Sequence, residues 1–331
     1  MTVFLRFSAF LAISLVPMTA PKAQDVPSFG LPIDCVLGKD CFLQQMPDMD
    51  EGPDTSDPYC GSATYDGHKG TDIRLRYYED IKNNIPVVAS RAGTILRLRD
   101  GVADKLVRSE ADRDRVRDLE CGNGVVVDHE GGWQSQYCHL KKGSISVIEG
   151  QVVKAGDILG SVGSSGFAQF AHVHLAITKD GQHIDPFTAK PLGETCHSTG
   201  PTANLWQSDA LIKLGQQPTQ ILDMGTAGGV VDHENLDLKK PASATTDSAA
   251  LVAWVSLINL KMGDILTLKI IAPDGAVFAS NKVDPLDRAK AIYSFFGGRK
   301  GASMPGKYQV TVEVIRENAA LLSESRVFQV E

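Results

Sequence analysis

No stretch of this chain is strongly basic, no H-E-x-x-H or C-x-x-C motif occurs, and no apolar run approaches the ~20 residues of a membrane-spanning helix. Acidic residues outnumber basic ones, 40 to 33, for a formal charge of −7. Without a basic patch to neutralise phosphates, nucleic acid is not an expected partner. The missing H-E-x-x-H removes the helix-borne zinc site that uses a glutamate base, and the missing C-x-x-C removes a zinc knuckle. No acid pair stands out from so many carboxylates, so glycosidase chemistry finds no support either.

One short apolar run is present. FSAFLAISLV, residues 7–16, follows Arg6 and is broken by Pro17. It reads as an export signal over residues 1–23, cleaved between Ala23 and Gln24, and is too short for a permanent anchor. Loss of Arg6 and Lys22 with that segment takes the charge to −9. The expected location is the periplasm or the exterior, where cysteines oxidise. Six are available: Cys35, Cys41, Cys60, Cys121, Cys138 and Cys196. An even count predicts three disulfides among fifteen pairings. Cys121–Cys138 is favoured because GVVVDH, the turn EGG and WQSQYCHL between them read as a hairpin; Cys35–Cys41 would close a short loop.

The length suits two domains. Residues 24–58 show little periodicity and include the acidic loop MPDMDEGPDTSDP. From 59 to 190, short β-rich runs alternate with glycine turns, which predicts a mainly β, antiparallel domain with a groove. The charged insertion Arg99–Glu120 predicts a surface helix, or less readily one wall of a groove. Residues 191–204 read as a linker. The runs from 205 to 331, with Pro-Asp-Gly and Pro-Gly turns and Trp254, predict an immunoglobulin-like β-sandwich with a binding or spacer role in preference to chemistry.

The chemistry concentrates in three short motifs. In AHVHLAI, residues 171–177, a strand's period of 2 puts His172, His174 and Ala176 on one face and Val173, Leu175 and Ile177 on the other. In HKGTD, residues 68–72, Gly67 and Gly70 disfavour a helix, and on a strand His68 and Asp72 would share a face. YCHL, residues 137–140, carries His139, with Tyr137 on its face by the same period, either bonding in the site or packing. Imidazole and carboxylate are the ligands zinc prefers, and three of them plus water make a catalytic site. Of the other histidines, His129 is expected to be solvated at a hairpin turn. His183 is a weak candidate ligand, and His197 and His233 fall in loops.

H-x-x-x-D, Y-x-H-L and H-x-H in this order resemble the lysostaphin-type (LytM-type) zinc endopeptidases of bacterial cell walls. The likeness extends over roughly residues 60–187 and includes GQVVKAGDILGSVGSSG and IDPF. It implies one Zn2+ held by His68, Asp72 and His174, with His139 and His172 as catalytic histidines. The implied substrate is the peptide stems of peptidoglycan, with D-alanyl–diaminopimelate cross-links the usual target. FAQFAHVH is bulkier than the glycine-rich stretch usual in that family, and Ala176 is smaller than the residue common there. Both changes would reshape the groove. A noncatalytic wall-binding regulator on the same fold is the alternative, and a cupin-like metal protein would need a glutamate that HVHLAITK lacks. An aspartate of the 46–58 loop would, in a latent form, cap the metal's open position.

Overall fold

The computed structural model describes Met1 and residues 26–198, 203–214, 219–301 and 303–331. The expected export signal, Met1 apart, lies outside the described residues. Among the described residues no helix is long and apolar enough to cross a membrane.

The β-rich runs assemble into a nine-stranded antiparallel sheet. Its main path runs Cys41–Gln45, Thr71–Leu75, His172–Lys179, Trp133–Leu140, Asn123–His129, Gly93–Arg99 and Val152–Val153. Gln182–Asp185 pairs beside the end of His172–Lys179. Ile73, Leu75, Val173, Leu175, Ile177, Val125 and Val127 are at most 1% exposed in one core. Each such side chain contributes about 1.5–3 kcal/mol on burial. A one-residue slip would turn these side chains out and the histidines in, so the core pins the register. That register sets Asp72 opposite His174 and Arg74 opposite His172 on the far face.

Three disulfides form. Cys121–Cys138 ties the start of the hairpin to its return strand, as the hairpin pattern predicts. Cys35–Cys41 closes the short loop, and Cys60–Cys196 is the third. The 99–120 insertion departs from the expected helix. Only Glu110–Arg115 is α-helical, started by the Ser109 side chain accepting from the Asp112 amide. The rest is held by side chains such as Asp104, which accepts from the Lys142 and Ser164 amides. Leu205, Trp206 and the Ser208–Leu214 helix pack into the first core rather than with the C-terminal strands.

The C-terminal part contains two antiparallel sheets face to face. One comprises Gln220–Ala227, Ala250–Leu260 and Lys290–Lys300. The other comprises Val277–Val283, Ile265–Ile271, Gly306–Arg316 and Ala319–Val330. Leu251, Ala253, Val255 and Leu257 meet Leu266, Leu268, Val310 and Val312 between them. Trp254 does not share that core. It points the other way, buried with Tyr77, Ala227, Val231 and Leu236. Beside it, Phe42 of Cys41–Gln45 packs against Leu222 and Ile258. The central strand Ala250–Leu260 is therefore covered on both faces, and the C-terminal unit is docked on the edge of the first sheet. His233 begins the short Asp232-capped helix His233–Leu238 rather than lying in a loop.

Candidate active site

The site forms on the sheet face opposite the core. Asp72 and His174 face each other across paired strands. His68 sits in the loop before Thr71–Leu75, not on a strand as the spacing suggests. Three atoms converge: His68 Nε2 to Asp72 Oδ1 is 3.2 Å, His68 Nε2 to His174 Nδ1 is 3.2 Å, and His174 Nδ1 to Asp72 Oδ1 is 2.8 Å. Zinc bonds of about 2.0–2.1 Å in tetrahedral geometry separate neighbouring ligands by about 3.3 Å. The triangle has the size of one tetrahedral face. Two imidazole nitrogens and a carboxylate oxygen are also zinc's donor set. His68 Nδ1 donates to the Met46 carbonyl at 2.7 Å, which leaves the Nε2 lone pair for a metal. The residues present therefore fit the ion.

Electrostatics agree with an anionic centre among bases. Burial opposes a charged His68 ring, but the Asp72 carboxylate outweighs it and raises the His68 pKa. Burial likewise works to raise Asp72, yet the imidazoles of His68 and His172 hold its carboxyl well below the usual range. Backbone spacing matters as much. A Cβ on Gly70 would lie 2.5 Å from the Leu175 carbonyl oxygen and 2.7 Å from His174 Cε1 and Nε2. Gly70→Ala is expected to displace the His174 ring and weaken zinc affinity by about 10–100-fold, the range for disturbed ligand support. Competition titration against a chromogenic chelator measures it, and wild-type affinity would refute the packing argument.

Two more imidazoles stand beside the triangle. His139 and His172 have ring centroids 4.5 Å apart, and His139 is 6.0 Å from His174. His139 Nδ1 donates to the Ser165 carbonyl at 2.8 Å, and His172 Nδ1 donates to the Phe170 carbonyl at 2.9 Å. Each ring therefore keeps an Nε2 lone pair. Burial, then the neighbouring His172 and His174, push His139 well below the ordinary imidazole range. Burial also lowers His172, with Asp72 opposing only in part. His139 adopts φ +64°, a conformation costly for a non-glycine residue and concentrated at functional sites. That dihedral breaks the strand's alternation. Tyr137 consequently points into the core and not into the site, where its hydroxyl accepts from the Ser90 amide at 2.7 Å and bonds Ser135 Oγ at 3.1 Å.

An open cavity of about 260 Å³ reaches these groups, with His68, His139 and His174 in its wall. Glu120 and Phe167 line it too, and Arg113 stacks over Phe167 at 5.6 Å. The insertion thus supplies part of a groove wall, and Phe167 and Ala176 both shape the groove. His183 also lines this cavity, but from the strand Gln182–Asp185 rather than a turn; its unpartnered Nδ1 is buried, and it is not one of the three converging ligands. His129 is not solvated at the turn. It is 3% exposed, bonded through Nδ1 to the Ala92 carbonyl and through Nε2 to Ser135 Oγ. His197 lies in a loop, and its amide donates to the Pro58 carbonyl. The acidic loop does not cap the triangle. Asp48 accepts from the Ser56 and Gly67 amides, and Asp57 accepts from the Tyr59, Gly61 and Ala63 amides. Its contribution to the site is the Met46 carbonyl.

Comparison with known proteins locates the same region. Residues 66–186 match the model for peptidase family M23. The peptidoglycan DD-endopeptidase ShyB of Vibrio cholerae is 29% identical over 100 residues, covering 29% of this chain and 23% of that protein. The DD-carboxypeptidase/endopeptidase Mpg of Neisseria meningitidis serogroup B is 32% identical over 88 residues, 27% of this chain and 18% of that one. The chain thus spans about a fifth of the length of these curated relatives. Among solved structures, the catalytic domain of lysostaphin from Staphylococcus simulans is 22% identical. It covers 36% of this chain and 76% of that one, with a TM-score of 0.27.

Proposed function

We propose, from the match of residues 66–186 to the model for peptidase family M23, that this protein is an exported zinc endopeptidase that hydrolyses peptide cross-links of bacterial peptidoglycan. The triangle of His68 Nε2, Asp72 Oδ1 and His174 Nδ1, with sides of 2.8–3.2 Å, carries the reading. These three residues would hold the ion. When bound there, zinc supplies Lewis acidity toward a peptide carbonyl and lowers the pKa of water to roughly 7.

The chain's own groups handle the protons. His139 and His172 are neutral rings with Nδ1 anchored on carbonyls, so each offers Nε2 to take a proton from an attacking water or pass one to the leaving amine. Asp72, held ionised by the surrounding imidazoles, keeps the ligand set anionic on one side. Lys69 lines the same cavity and would meet a carboxylate of a stem peptide. Three disulfides suit an oxidising compartment. Two relatives bear names of peptidoglycan or D,D-peptide hydrolysis.

Digestion of purified sacculi with and without a zinc chelator, with fragments identified by mass spectrometry, tests the proposal. Un-cross-linked stems are expected from the untreated protein and none after chelation, with recovery on adding Zn2+. Equal release under chelation overturns the metal assignment. Intact sacculi bound but uncut would place the protein with noncatalytic wall binders.

A further inference from the structure

We propose that Asp237, from the docked C-terminal unit, is a positioning residue for His172, so that this unit is part of the catalytic centre. The inference rests on the reading of His172 as catalytic. Arg74 lies opposite His172 in the strand register, one step along the site face from Asp72. Arg74 is 1% exposed, and each of its three guanidinium nitrogens donates a hydrogen bond. Nε donates to the Leu75 carbonyl at 3.0 Å, one terminal nitrogen to Gln44 Oε1 at 3.0 Å, and the other to Asp237 Oδ1 at 2.6 Å. The flat face of the guanidinium carries the Phe170 ring, 4.8 Å from its centroid. Phe170 in turn stacks on His172, with centroids 4.4 Å apart, and its carbonyl accepts from His172 Nδ1.

The order of contacts is therefore carboxylate, guanidinium, phenyl ring, imidazole. Only the first member comes from the C-terminal unit. Asp237 also binds Arg108 of the 99–120 insertion at 2.8 Å, so one carboxylate joins three parts of the chain. Arg74 is long and flexible by nature, and stacking over an aromatic ring holds it only when its edges are fixed. Removing Asp237 leaves two arginines without their shared anion. Phe170 then loses its platform, and His172 loses the fixed carbonyl and ring that set its Nε2 direction. A 1 Å misplacement of a catalytic group is enough to slow a reaction by about 100-fold.

Steady-state kinetics on purified cross-linked muropeptides tests this. Asp237→Ala is expected to lower kcat at least tenfold with KM within twofold, and Asp237→Glu to restore much of it. Phe170→Leu, which leaves the buried ion pair intact and so guards against a simple folding defect, is expected to lower kcat likewise. The imidazole Cε1–Hε1 signal of His172 should shift in both variants, observed with labelled histidine in the metal-free protein. Tyr77→Phe breaks a different contact between the units, the hydroxyl's 2.6 Å bond to Asp223, and is expected to leave kcat unchanged. Wild-type kcat in Asp237→Ala and Phe170→Leu, alongside an inactive His172→Ala, overturns the positioning role and leaves His172's catalytic role standing. An equal fall in Tyr77→Phe also overturns it, because general loosening would then suffice. Full activity in His172→Ala overturns both readings.

Discussion

His174→Ala is expected to lose its zinc and, with it, essentially all hydrolysis of sacculi. The physical basis is the size of the ligand triangle. With His174 Nδ1 gone, His68 Nε2 and Asp72 Oδ1 remain 3.2 Å apart but supply only two of three bonds. A two-ligand site on this face competes poorly with water for the ion. Loss of the Lewis acid forfeits several kcal/mol of transition-state stabilisation, ~10³-fold or more in rate. Asp72→Asn should behave similarly for a further reason. The buried carboxylate is the anion that the surrounding imidazoles hold ionised, and an amide cannot take that charge. Metal analysis of the purified variants, run beside the sacculus assay, decides the matter. A His174→Ala protein that retains one zinc per chain would show that the triangle is not the metal site.

His139→Asn is expected to give the opposite pairing, full zinc content with turnover reduced by about 10²–10⁴-fold, the usual worth of a positioned acid–base group. His139 is not part of the triangle, and its Nδ1 is already engaged by the Ser165 carbonyl. What it offers is Nε2, and that proton acceptor vanishes with the ring. Asparagine is the better probe than alanine because φ is +64° here. Asparagine tolerates left-handed backbone, whereas alanine would add strain to the chemical loss. The two variants separate binding from turnover: one should fail at the metal, the other at the proton. Wild-type hydrolysis by zinc-loaded His139→Asn would remove His139 from the mechanism.

How far the sequence can be read depends on which forces are local. Alternation in AHVHLAI is enough to place Val173, Leu175 and Ile177 in the core and both histidines on the other face, because one buried sheet face imposes period 2. The same rule fails in YCHL, where one positive φ at His139 resets the alternation and sends Tyr137 inward. Nothing in the residue letters marks that dihedral. CFLQQ gives no strand signal because all five residues are buried and the strand shows no polar face. Its outer side is covered by Leu222 and Ile258, which lie far along the chain. Trp254 has the look of a sandwich-core residue and is instead part of the contact between units.

By itself, then, the order of residues determined the antiparallel β class, the hairpin disulfide Cys121–Cys138, and the clustering of imidazoles and a carboxylate in three short motifs. Those arise from side-chain period, turn chemistry and the donor preferences of a metal, all of which act over a few residues. Only the tertiary structure decided that His68 approaches from a loop, that His129 is buried, and that Asp237 reaches Arg74 beneath Phe170. Each of these depends on surfaces brought together from distant parts of the chain, where burial and shape, rather than local pattern, select the partner.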